Sequence, residues 1–290
     1  MKRQLASIGL LVLIGIGLVV QGQEAAPLVT ETLLQISAGD HQIPAVWATP
    51  AGVEGQVPAL LLIHGFASHK DEVGNFYKRL AASLAERGFA SLRFDFPGSG
   101  DSTVSFTANT VAGQVADARQ AFEFLLSQPT VDTSRAGVVG FSLGGIVGSA
   151  LAGTDPRVKA LVLWSTPGDT AAAFANLYDQ YYQAAVEYGS VVADLGFRQV
   201  ELSQAFFESL FASFPLSDIR NFTGPLLIIA GENDGPQPRY AREFARNAGS
   251  FDVTLRILPG ADHIYQVLTP DQTNAEQVIA ITTNWITEKL

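Results

Sequence analysis

The sequence of 290 residues contains no cysteine. Disulfide bonds, thiolate metal ligands and a cysteine nucleophile are therefore excluded, and stability depends on packing alone. Basic residues are also scarce, because 18 Lys and Arg stand against 28 Asp and Glu and the formal net charge is −10. Nucleic acids and anionic lipid surfaces are bound through clustered Lys and Arg. We therefore expect no nucleic-acid partner, and no stable association with a membrane once any N-terminal signal has been removed.

No apolar run reaches the roughly 20 residues that a membrane-spanning helix needs. The run at residues 5–20 follows Lys2 and Arg3 and precedes a stretch of small and polar residues. This order is typical of a secretory signal peptide over residues 1–22, and it predicts cleavage after Gly22. The mature protein would begin near Gln23 and be secreted or extracytoplasmic. Retention of the apolar run as a membrane anchor is the alternative.

The remaining residues, 23–290, are expected to form one domain, because a chain with 47% hydrophobic residues can bury one large core. Two strand-like runs, at 28–36 and 42–49, indicate an antiparallel entry pair. Short apolar runs, typical of strands buried on both faces, then alternate with helical stretches. The runs are 59–63, 90–94, 136–139, 158–164, 226–230 and 253–257, and the helical stretches are 73–87, 111–127, 143–152, 239–247 and 274–289. The alternation predicts an α/β fold with a mostly parallel sheet flanked by helices.

Between Trp164 and Leu226 the alternation stops, no clear strand occurs and aromatic residues are dense. They are Phe174, Tyr178, Tyr181, Tyr182, Tyr188, Phe197, Phe206, Phe207, Phe211 and Phe214. A structureless loop of this length is rare inside a compact domain. We therefore expect a helical insertion, a lid, at about residues 167–220 over the sheet. For any single ring, a place in the core of these extra helices is the alternative to a ligand contact.

The segment Gly140-Phe141-Ser142-Leu143-Gly144 matches the pattern Gly-x-Ser-x-Gly of a nucleophile elbow. The spacing alone is weakly specific, but here it follows a buried strand and opens a helix. A tight strand-to-helix turn would expose the Oγ of Ser142, and glycines at 140 and 144 avoid a collision where strand and helix cross. The pattern predicts Ser142 as a nucleophile. An incidental serine in a glycine-rich turn is the alternative.

A serine hydroxyl needs a histidine base, which in turn needs a carboxylate that sets its tautomer. Of the four histidines, His263 alone follows the last predicted strand, at the carboxyl edge where parallel sheets form their sites. Asp234 lies just beyond the strand at 226–230 and could reach this histidine. Glu232 is the competing carboxylate, and Asp262 is interpreted as a turn residue. The chain order of serine, aspartate and histidine is that of α/β hydrolases.

Backbone N–H groups should stabilise the negative charge that develops on the substrate carbonyl oxygen. One donor should be the amide of Leu143, directly after the nucleophile. The other should come from the loop at 64–67, and we choose the amide of Phe66. Gly65 lets this backbone approach closely, and His64 is expected to hold the loop by hydrogen bonds and not to carry protons.

The blocks LLIHGFASHKDE, RFDFPGSGDS, GVVGFSLGG, GENDG and GADH, in this order, resemble the bacterial cinnamoyl and feruloyl esterase branch of the α/β hydrolases. The resemblance covers residues 58–290 except the interval after Trp164. It implies the α/β-hydrolase fold, a serine hydrolase, and an insertion that forms a wall of the acyl pocket. Arg93 and Asp95 match residues that look structural in such proteins and would fix the turn at 98–100.

The function expected is hydrolysis of carboxylic esters with short or aromatic acyl groups, through an acyl-enzyme on Ser142. A serine peptidase or amidase shares the elbow, the oxyanion loop and the triad, and a thioesterase or acyltransferase is a further alternative. A non-catalytic binding protein on the same scaffold is disfavoured, because all three triad positions carry competent residues. We expect no metal and no organic cofactor, since Asp, Glu and His form no cluster with ligand spacing.

Overall fold

The computed structural model describes residues 29–290, so the predicted signal peptide lies outside the described part of the chain. The strands are β1 (Val29–Ser37), β2 (Gln42–Pro50), β3 (Val57–Ile63), β4 (Ala90–Phe94), β5 (Val131–Phe141), β6 (Ala160–Trp164), β7 (Ser190–Asp194), β8 (Gln199–Ser203), β9 (Leu226–Gly231) and β10 (Val253–Leu258). Within residues 29–290, eight of them form one sheet in the order β1-β2-β4-β3-β5-β6-β9-β10. β1 and β2 pair antiparallel, as do β2 and β4, and the strands from β4 to β10 in that order run parallel. The expected antiparallel entry pair and mostly parallel sheet are confirmed.

Helices cover both faces of the sheet. They are α1 (Phe76–Ala85), α2 (Val111–Ser127), α3 (Leu143–Thr154), α4 (Thr170–Ala173), α5 (Ala175–Tyr188), α6 (Gln204–Phe211), α7 (Pro215–Asp218), α8 (Gln237–Asn247) and α9 (Thr273–Lys289). Side chains of α2, α3 and α8 belong to one hydrophobic cluster, and those of α1 and α9 to a second one. Along β3, Leu61 and Ile63 join the first cluster, whereas Leu60 and Leu62 join the second. This strand is fully buried because each of its faces packs against a helical layer.

The helix predicted at 73–87 begins later than expected. Residues Val73–Asn75 form a 3₁₀ turn, and α1 proper begins at Phe76. Gly74 and Asn75 have φ values of 60° and 56°. Residues in this left-handed region cannot continue a right-handed α-helix, so the chain turns sharply before α1. The helix predicted at 111–127 has the expected bounds, and its first turn is capped by Thr110, whose Oγ1 accepts a hydrogen bond from the Gly113 amide at 3.0 Å.

The sequence predicts a helical insertion in the aromatic interval, but the structure shows that this interval is only partly helical. It contains α4 to α7, but β7 and β8 form an antiparallel hairpin between α5 and α6. The side chains of Ala193, Val200 and Leu202 are buried while their neighbours in sequence are half-buried or exposed. This alternation spans five residues in each strand, too short to stand out beside the helical patterns around it. Among residues 29–290, no helix has the length and apolarity to cross a membrane.

Candidate active site

Ser142 occupies the one-residue turn between β5 and α3. Its backbone has φ 52° and ψ −119°, a conformation that side-chain-bearing residues rarely adopt and that costs about 1–3 kcal/mol. The surrounding structure holds it there, in part through a hydrogen bond from the Ser142 amide to the Trp164 carbonyl at 2.8 Å. The turn matches the sharp strand-to-helix elbow that the sequence predicts.

The two flanking glycines allow this close approach. A Cβ at Gly140 would collide with the Gly144 carbonyl, which is the strand-against-helix collision expected from the sequence. A Cβ at Gly144 would collide with the carbonyl of Ile63 at the end of β3. The second collision means that the start of α3 packs directly on the backbone where the predicted oxyanion loop begins.

His263 lies between Ser142 and Asp234. Its Nε2 is 3.0 Å from the Ser142 Oγ, and its Nδ1 is 2.8 Å from the Asp234 Oδ1. The Asp234 side chain is 6% exposed, whereas that of His263 is 40% exposed. An ionised carboxylate can only accept, so this pairing places the imidazole proton on Nδ1 and leaves Nε2 to accept from the serine hydroxyl. The structure thus brings together the three residues predicted from positions far apart in the sequence.

The loops after β9 and β10 are tied to each other, which places Asp234 beside His263. The amide of Asn233 donates to the Ala261 carbonyl at 2.8 Å. The Glu232 carboxylate accepts from the Gly260 amide at 3.0 Å, so the competing carboxylate joins the two loops and makes no hydrogen bond with His263. The Asp262 carboxylate accepts from the amides of Ile264 and Gln266, as expected of a turn residue.

Tyr265 anchors the loop that carries His263 to the central sheet. The sequence patterns did not identify this residue. Its hydroxyl donates to the Ile229 carbonyl at 3.1 Å and lies 2.9 Å from the Ser165 Oγ. The side chain is fully buried, and burial raises the pKa of the Tyr265 phenol far above its usual value. The phenol therefore stays protonated and keeps its role as a donor. Its place two residues after His263 is the only signal that the sequence offered.

The loop at 64–67 lies against the nucleophile. A Cβ built on Gly65 would be 3.2 Å from the Glu72 Oε1 and 3.2 Å from the Phe141 ring, both tighter than usual contacts, and 3.4 Å from the Ser142 Cβ. The absence of a side chain therefore lets the loop pack closely here. Leu143 is the first residue of α3, where an amide has no partner within the helix. Within residues 29–290, neither the Phe66 amide nor the Leu143 amide donates a hydrogen bond to another residue. Both amides are therefore available to an oxygen atom beside Ser142.

Two buried side chains hold this loop. The His64 Nδ1 lies 2.8 Å from the Gly65 carbonyl, and its Nε2 accepts from the Phe96 amide at 3.2 Å, which matches the expected loop-holding role. Burial lowers the pKa of His64, so the ring is neutral. Glu72, which sequence reasoning missed, accepts from the Gly65 amide at 2.9 Å and also binds the Ser68 hydroxyl. Only the fold shows that this acidic residue faces inward.

Asp95 joins the far end of the loop to the turn at 98–101. Its carboxylate accepts from the Lys70 amide and ammonium at 2.7 and 2.6 Å, and from the Asp101 amide at 2.9 Å. The turn-fixing role expected of Asp95 is therefore observed. Arg93 makes no hydrogen bond or ion pair with this turn, in contrast to the expectation. Its guanidinium binds Asp71 at 2.6 Å and Glu31 at 2.9 Å, because its side chain leaves the sheet next to the entry hairpin.

A cavity of about 660 Å³ opens onto Ser142 and His263. Its walls are mainly apolar and include Phe66, Phe141, Phe174, Phe197, Ile264 and Leu268. This volume is in the range of small-molecule sites. Of the ten rings between β6 and β9, Phe174 and Phe197 line the cavity, whereas Phe206 and Phe207 are buried in the core. In the described part of the chain, no group of three or more His, Asp and Glu side chains is arranged to hold a metal ion.

Curated proteins similar to this chain include hydrolases of different size. YtaP of Bacillus subtilis (strain 168), which is named as a hydrolase, is 28% identical over 160 residues, or 48% of this chain and 54% of that protein. The acylamino-acid-releasing enzyme of Rattus norvegicus is 25% identical over 215 residues, or 72% of this chain and 29% of that enzyme. The chain thus spans about half of the first relative and under a third of the second.

Solved structures of esterases share the fold. Est1E of Butyrivibrio proteoclasticus, with ferulic acid bound, has a TM-score of 0.72 at 20% identity, covering 88% of this chain and 98% of Est1E. The esterase domain of a Rhodothermus marinus protein has a TM-score of 0.64 at 23% identity, covering 90% of this chain and 98% of that domain. The resemblance to the esterase branch and the α/β-hydrolase fold are confirmed. Because residues 60–276 match the family model, this chain belongs to the alpha/beta hydrolase family.

Proposed function

We propose that this hydrolase cleaves carboxylic esters of short or aromatic acyl groups through an acyl-enzyme on Ser142. The observation that carries the proposal is the hydrogen-bonded chain from Asp234 through His263 to Ser142, with the serine Oγ facing an apolar cavity. A hydroxyl becomes nucleophilic when an adjacent base can take its proton, and the Nε2 of His263 is within reach to do so.

The proposed reaction has two steps. The Ser142 Oγ attacks the ester carbonyl while His263 takes the hydroxyl proton, and the same proton then passes to the departing alcohol. Asp234 holds the imidazole in the productive tautomer and stabilises its charged form. The amides of Phe66 and Leu143 bind the oxyanion, and such donors are worth about 2.7–4 kcal/mol each to the transition state. In the second step water attacks the acyl carbonyl while His263 takes a proton from it, and that proton returns to the Ser142 Oγ as the acyl–Oγ bond breaks and the acid leaves.

The walls of the cavity support esters with a compact acyl group. Rings from the core and from the insertion line it, and flat apolar surfaces of this kind bind planar or short acyl chains. The solved relative Est1E holds ferulic acid, an aromatic acid, and this likeness favours an aromatic acyl group here. Since one methylene in an apolar pocket is worth about 1–3 kcal/mol, the preference for chain length should be graded.

The proposal is tested by kcat/KM of the purified mature protein on four substrates: p-nitrophenyl butyrate, p-nitrophenyl palmitate, methyl ferulate and an aminoacyl p-nitroanilide. We expect butyrate or ferulate to be cleaved fastest and palmitate poorly. A fluorophosphonate probe should label Ser142 and no other residue. Faster cleavage of the anilide than of every ester would contradict the ester assignment.

A serine peptidase is the second candidate, because acylamino-acid-releasing enzymes are among the relatives of this chain. The anilide in the panel tests this candidate, and an N-acetylated aminoacyl anilide tests the activity that those relatives' name describes. Amides have a poorer leaving group than p-nitrophenyl esters, so a peptidase also cleaves such esters. A kcat/KM on the acylated anilide that equals or exceeds the values on the esters, despite the poorer leaving group, would favour a peptidase. A thioesterase would instead prefer acyl thioesters.

We further propose that residues 1–22 are removed on export and that residues 23–290 form one domain that acts on small-molecule esters outside the cytoplasm. The support is the charge and hydropathy pattern of the first 22 residues. N-terminal sequencing of the protein recovered from the producing cells should begin near Gln23. Recovery from membranes with Met1 or Lys2 intact would identify the segment as an anchor.

A further inference from the structure

We propose that the insertion sets the geometry of the oxyanion hole, and that Arg198 is the positioning residue that links the two. The inference rests on the proposed function, because it assigns a role to the loop that carries the Phe66 amide. The sequence predicts only that the insertion forms a wall of the acyl pocket. Its contacts with residues 66 and 67 give it a second role, which is to hold the backbone whose Phe66 amide stabilises the transition state.

Arg198 lies in the turn between β7 and β8 and joins three segments of the chain. Its Nη1 donates to the Ala67 carbonyl at 3.1 Å, and its Nη2 donates to the Gly98 carbonyl at 3.2 Å. The guanidinium also lies over the Phe106 ring, 5.8 Å from its centroid. A guanidinium is a planar, rigid fork, so bridging two carbonyl groups fixes their separation as well as their direction. The hairpin is thereby attached to the oxyanion loop and to the turn after β4.

The carbonyl that Arg198 binds belongs to a strained residue. Ala67 has φ 55°, in the left-handed region that a residue with a Cβ adopts at a cost. Such a conformation persists only where neighbouring groups impose it. Ala67 directly follows Phe66, so its conformation helps to set the direction of the chain at the proposed donor. Loss of the bond from Arg198 removes one of the constraints on this conformation.

The side chain of Phe66 is held by the same insertion. Its ring stacks on Phe206 of α6 with centroids 5.3 Å apart, and it meets the edge of Phe174 at 5.3 Å. Glu72 fixes the preceding residue, Gly65, from within the core. Gly65, Phe66 and Ala67 are therefore held by separate partners, and the insertion supplies partners for Phe66 and Ala67.

The decisive variant is Arg198→Met, which removes the donors and keeps most of the side-chain length. We expect kcat on p-nitrophenyl butyrate to fall by about 10- to 100-fold, below the 10²–10³ typical of losing a whole oxyanion donor, with KM changed little. A trifluoromethyl ketone with the same acyl group measures the oxyanion directly. Ser142 adds to its carbonyl carbon, the serine proton passes to His263, and the former carbonyl oxygen becomes the oxyanion. Its inhibition constant should rise by the same factor as kcat falls.

Phe206→Leu tests the ring contact independently of Arg198, and it should give a smaller loss of the same kind. Arg242→Met is the matched control, since Arg242 is exposed and binds only the Pro238 carbonyl of its own helix among the described residues. This control should keep the wild-type kcat and inhibition constant. Melting temperatures and end-point fluorophosphonate labelling confirm that each variant is folded.

Two results would overturn the inference. One is an Arg198→Met protein with wild-type kcat and ketone inhibition. The other is a rise in KM that occurs only for esters that carry a carboxylate and that Arg198→Lys fully reverses. This result would show that the positive charge of Arg198 binds the substrate, and that its two hydrogen bonds to backbone carbonyls do not position the loop. Absence of esterase activity and of probe labelling in the wild-type protein would refute the proposed function itself, so the two failures are distinguishable.

Discussion

The backbone strain at Ser142 and the hydrogen bonds around it concentrate the proposed chemistry in a few atoms. Among residues 29–290, the Oγ has one hydrogen-bond partner, the Nε2 of His263 at 3.0 Å, and the strained turn directs it toward the cavity. The imidazole is in turn held by a buried carboxylate and by a loop that rests on Tyr265. The proposed roles of Ser142 and Asp234 each depend on one polar group, so substitutions that remove or replace that group test them.

Ser142→Ala should lower kcat by about 10⁶, the scale seen when a triad serine is removed, while leaving the melting temperature within about 2 °C. The change deletes one oxygen atom and little packing. Steady-state hydrolysis of p-nitrophenyl butyrate measures the loss, and thermal unfolding checks the fold. Ser134→Ala, at an exposed position on β5, is the control and should keep full activity. A Ser142→Ala rate within tenfold of wild type would remove Ser142 from its role.

Asp234→Asn should lower kcat by about 10⁴, because an amide favours the wrong imidazole tautomer. Glu232→Gln is the matched comparison, since Glu232 contacts the Gly260 amide and makes no hydrogen bond to His263 within the described residues. We expect it to cost less than tenfold. The same kinetic assay measures both variants. If Glu232→Gln proved the more damaging change, the assignment of the acid would be wrong.

At the scale of elements, the turn of the entry hairpin is joined to α2 by an ionisable pair. The Nε2 of His41 lies 3.3 Å from the Asp117 Oδ1. Burial raises the pKa of Asp117 from its usual 3.8 to about 6. A hydrogen bond with Asp40 raises the pKa of His41, an effect that outweighs the partial burial of the ring. Both groups bind protons more tightly in the folded protein than in the unfolded chain.

Both groups stabilise the folded protein more at low pH than at high pH. The contribution of Asp117 to stability is present below about pH 3.8 and is lost as the pH rises to about 6. The contribution of His41 is present below pH 6.5 and is lost as the pH rises through its raised pKa. Both contributions therefore decrease between pH 5 and pH 8. Asp117→Asn removes the first and weakens the second.

We expect the fall in melting temperature from pH 5 to pH 8 to be smaller in Asp117→Asn than in the wild-type protein. Asp132→Asn is the control, since hydrogen bonds from Ser134 and Arg135 lower the pKa of Asp132 to about 2 and keep it ionised over this range. The control should show the wild-type pH dependence. Equal pH dependence in Asp117→Asn and wild type would show that this pair is not linked to stability.

The helices and strands differ in how well the sequence patterns predicted their bounds. The bounds of α2 and β4 were predicted correctly. The first turn of α2 is capped by Thr110, and all five residues of β4 are buried. The start of α1 was predicted too early, since Gly74 and Asn75 adopt left-handed conformations that their neighbours impose. The β7–β8 hairpin was missed because five residues per strand give too little alternation to be separated from helical patterns.

At the scale of the whole molecule, the central sheet is buried between two helical layers. Leu61 on β3 is fully buried and packs against the layer of α2, α3 and α8. Leu61→Ala should therefore lower the free energy of unfolding by about 2–5 kcal/mol, since the cavity left in a close-packed core collapses only in part. Leu33→Ala on the edge strand β1 is the control, because that side chain is 78% exposed, and it should cost less than about 0.5 kcal/mol.

Urea unfolding of both variants, analysed with a common slope, measures these differences. A cost below about 1 kcal/mol for Leu61→Ala would mean that the sheet is less tightly covered than its burial indicates. A large cost for Leu33→Ala would mean that β1 is covered in solution, as an edge strand would be if it paired with another chain.

Outside the aromatic interval, local sequence patterns predicted the order of strands and helices, the parallel character of the sheet, and the candidate residues Ser142, Asp234 and His263. These follow from local signals: apolar runs of strand length, the glycine spacing of the elbow, and the positions of polar residues just after strands. The carboxyl ends of parallel strands share one edge, so the sequence could also indicate that these residues would meet. Their catalytic roles, like those of the Phe66 and Leu143 amides, stay predictions.

The groups that support the candidate site became evident only from the folded arrangement of the chain. Glu72 faces inward beneath Gly65, Tyr265 lies under the histidine loop, and Arg198 reaches the carbonyl of Ala67, 131 residues away in the chain. None of these residues carries a pattern of its own, because a hydrogen bond between distant segments depends on crossovers and on the directions of side chains. Such contacts exist only once the sheet, the loops and the insertion have packed together.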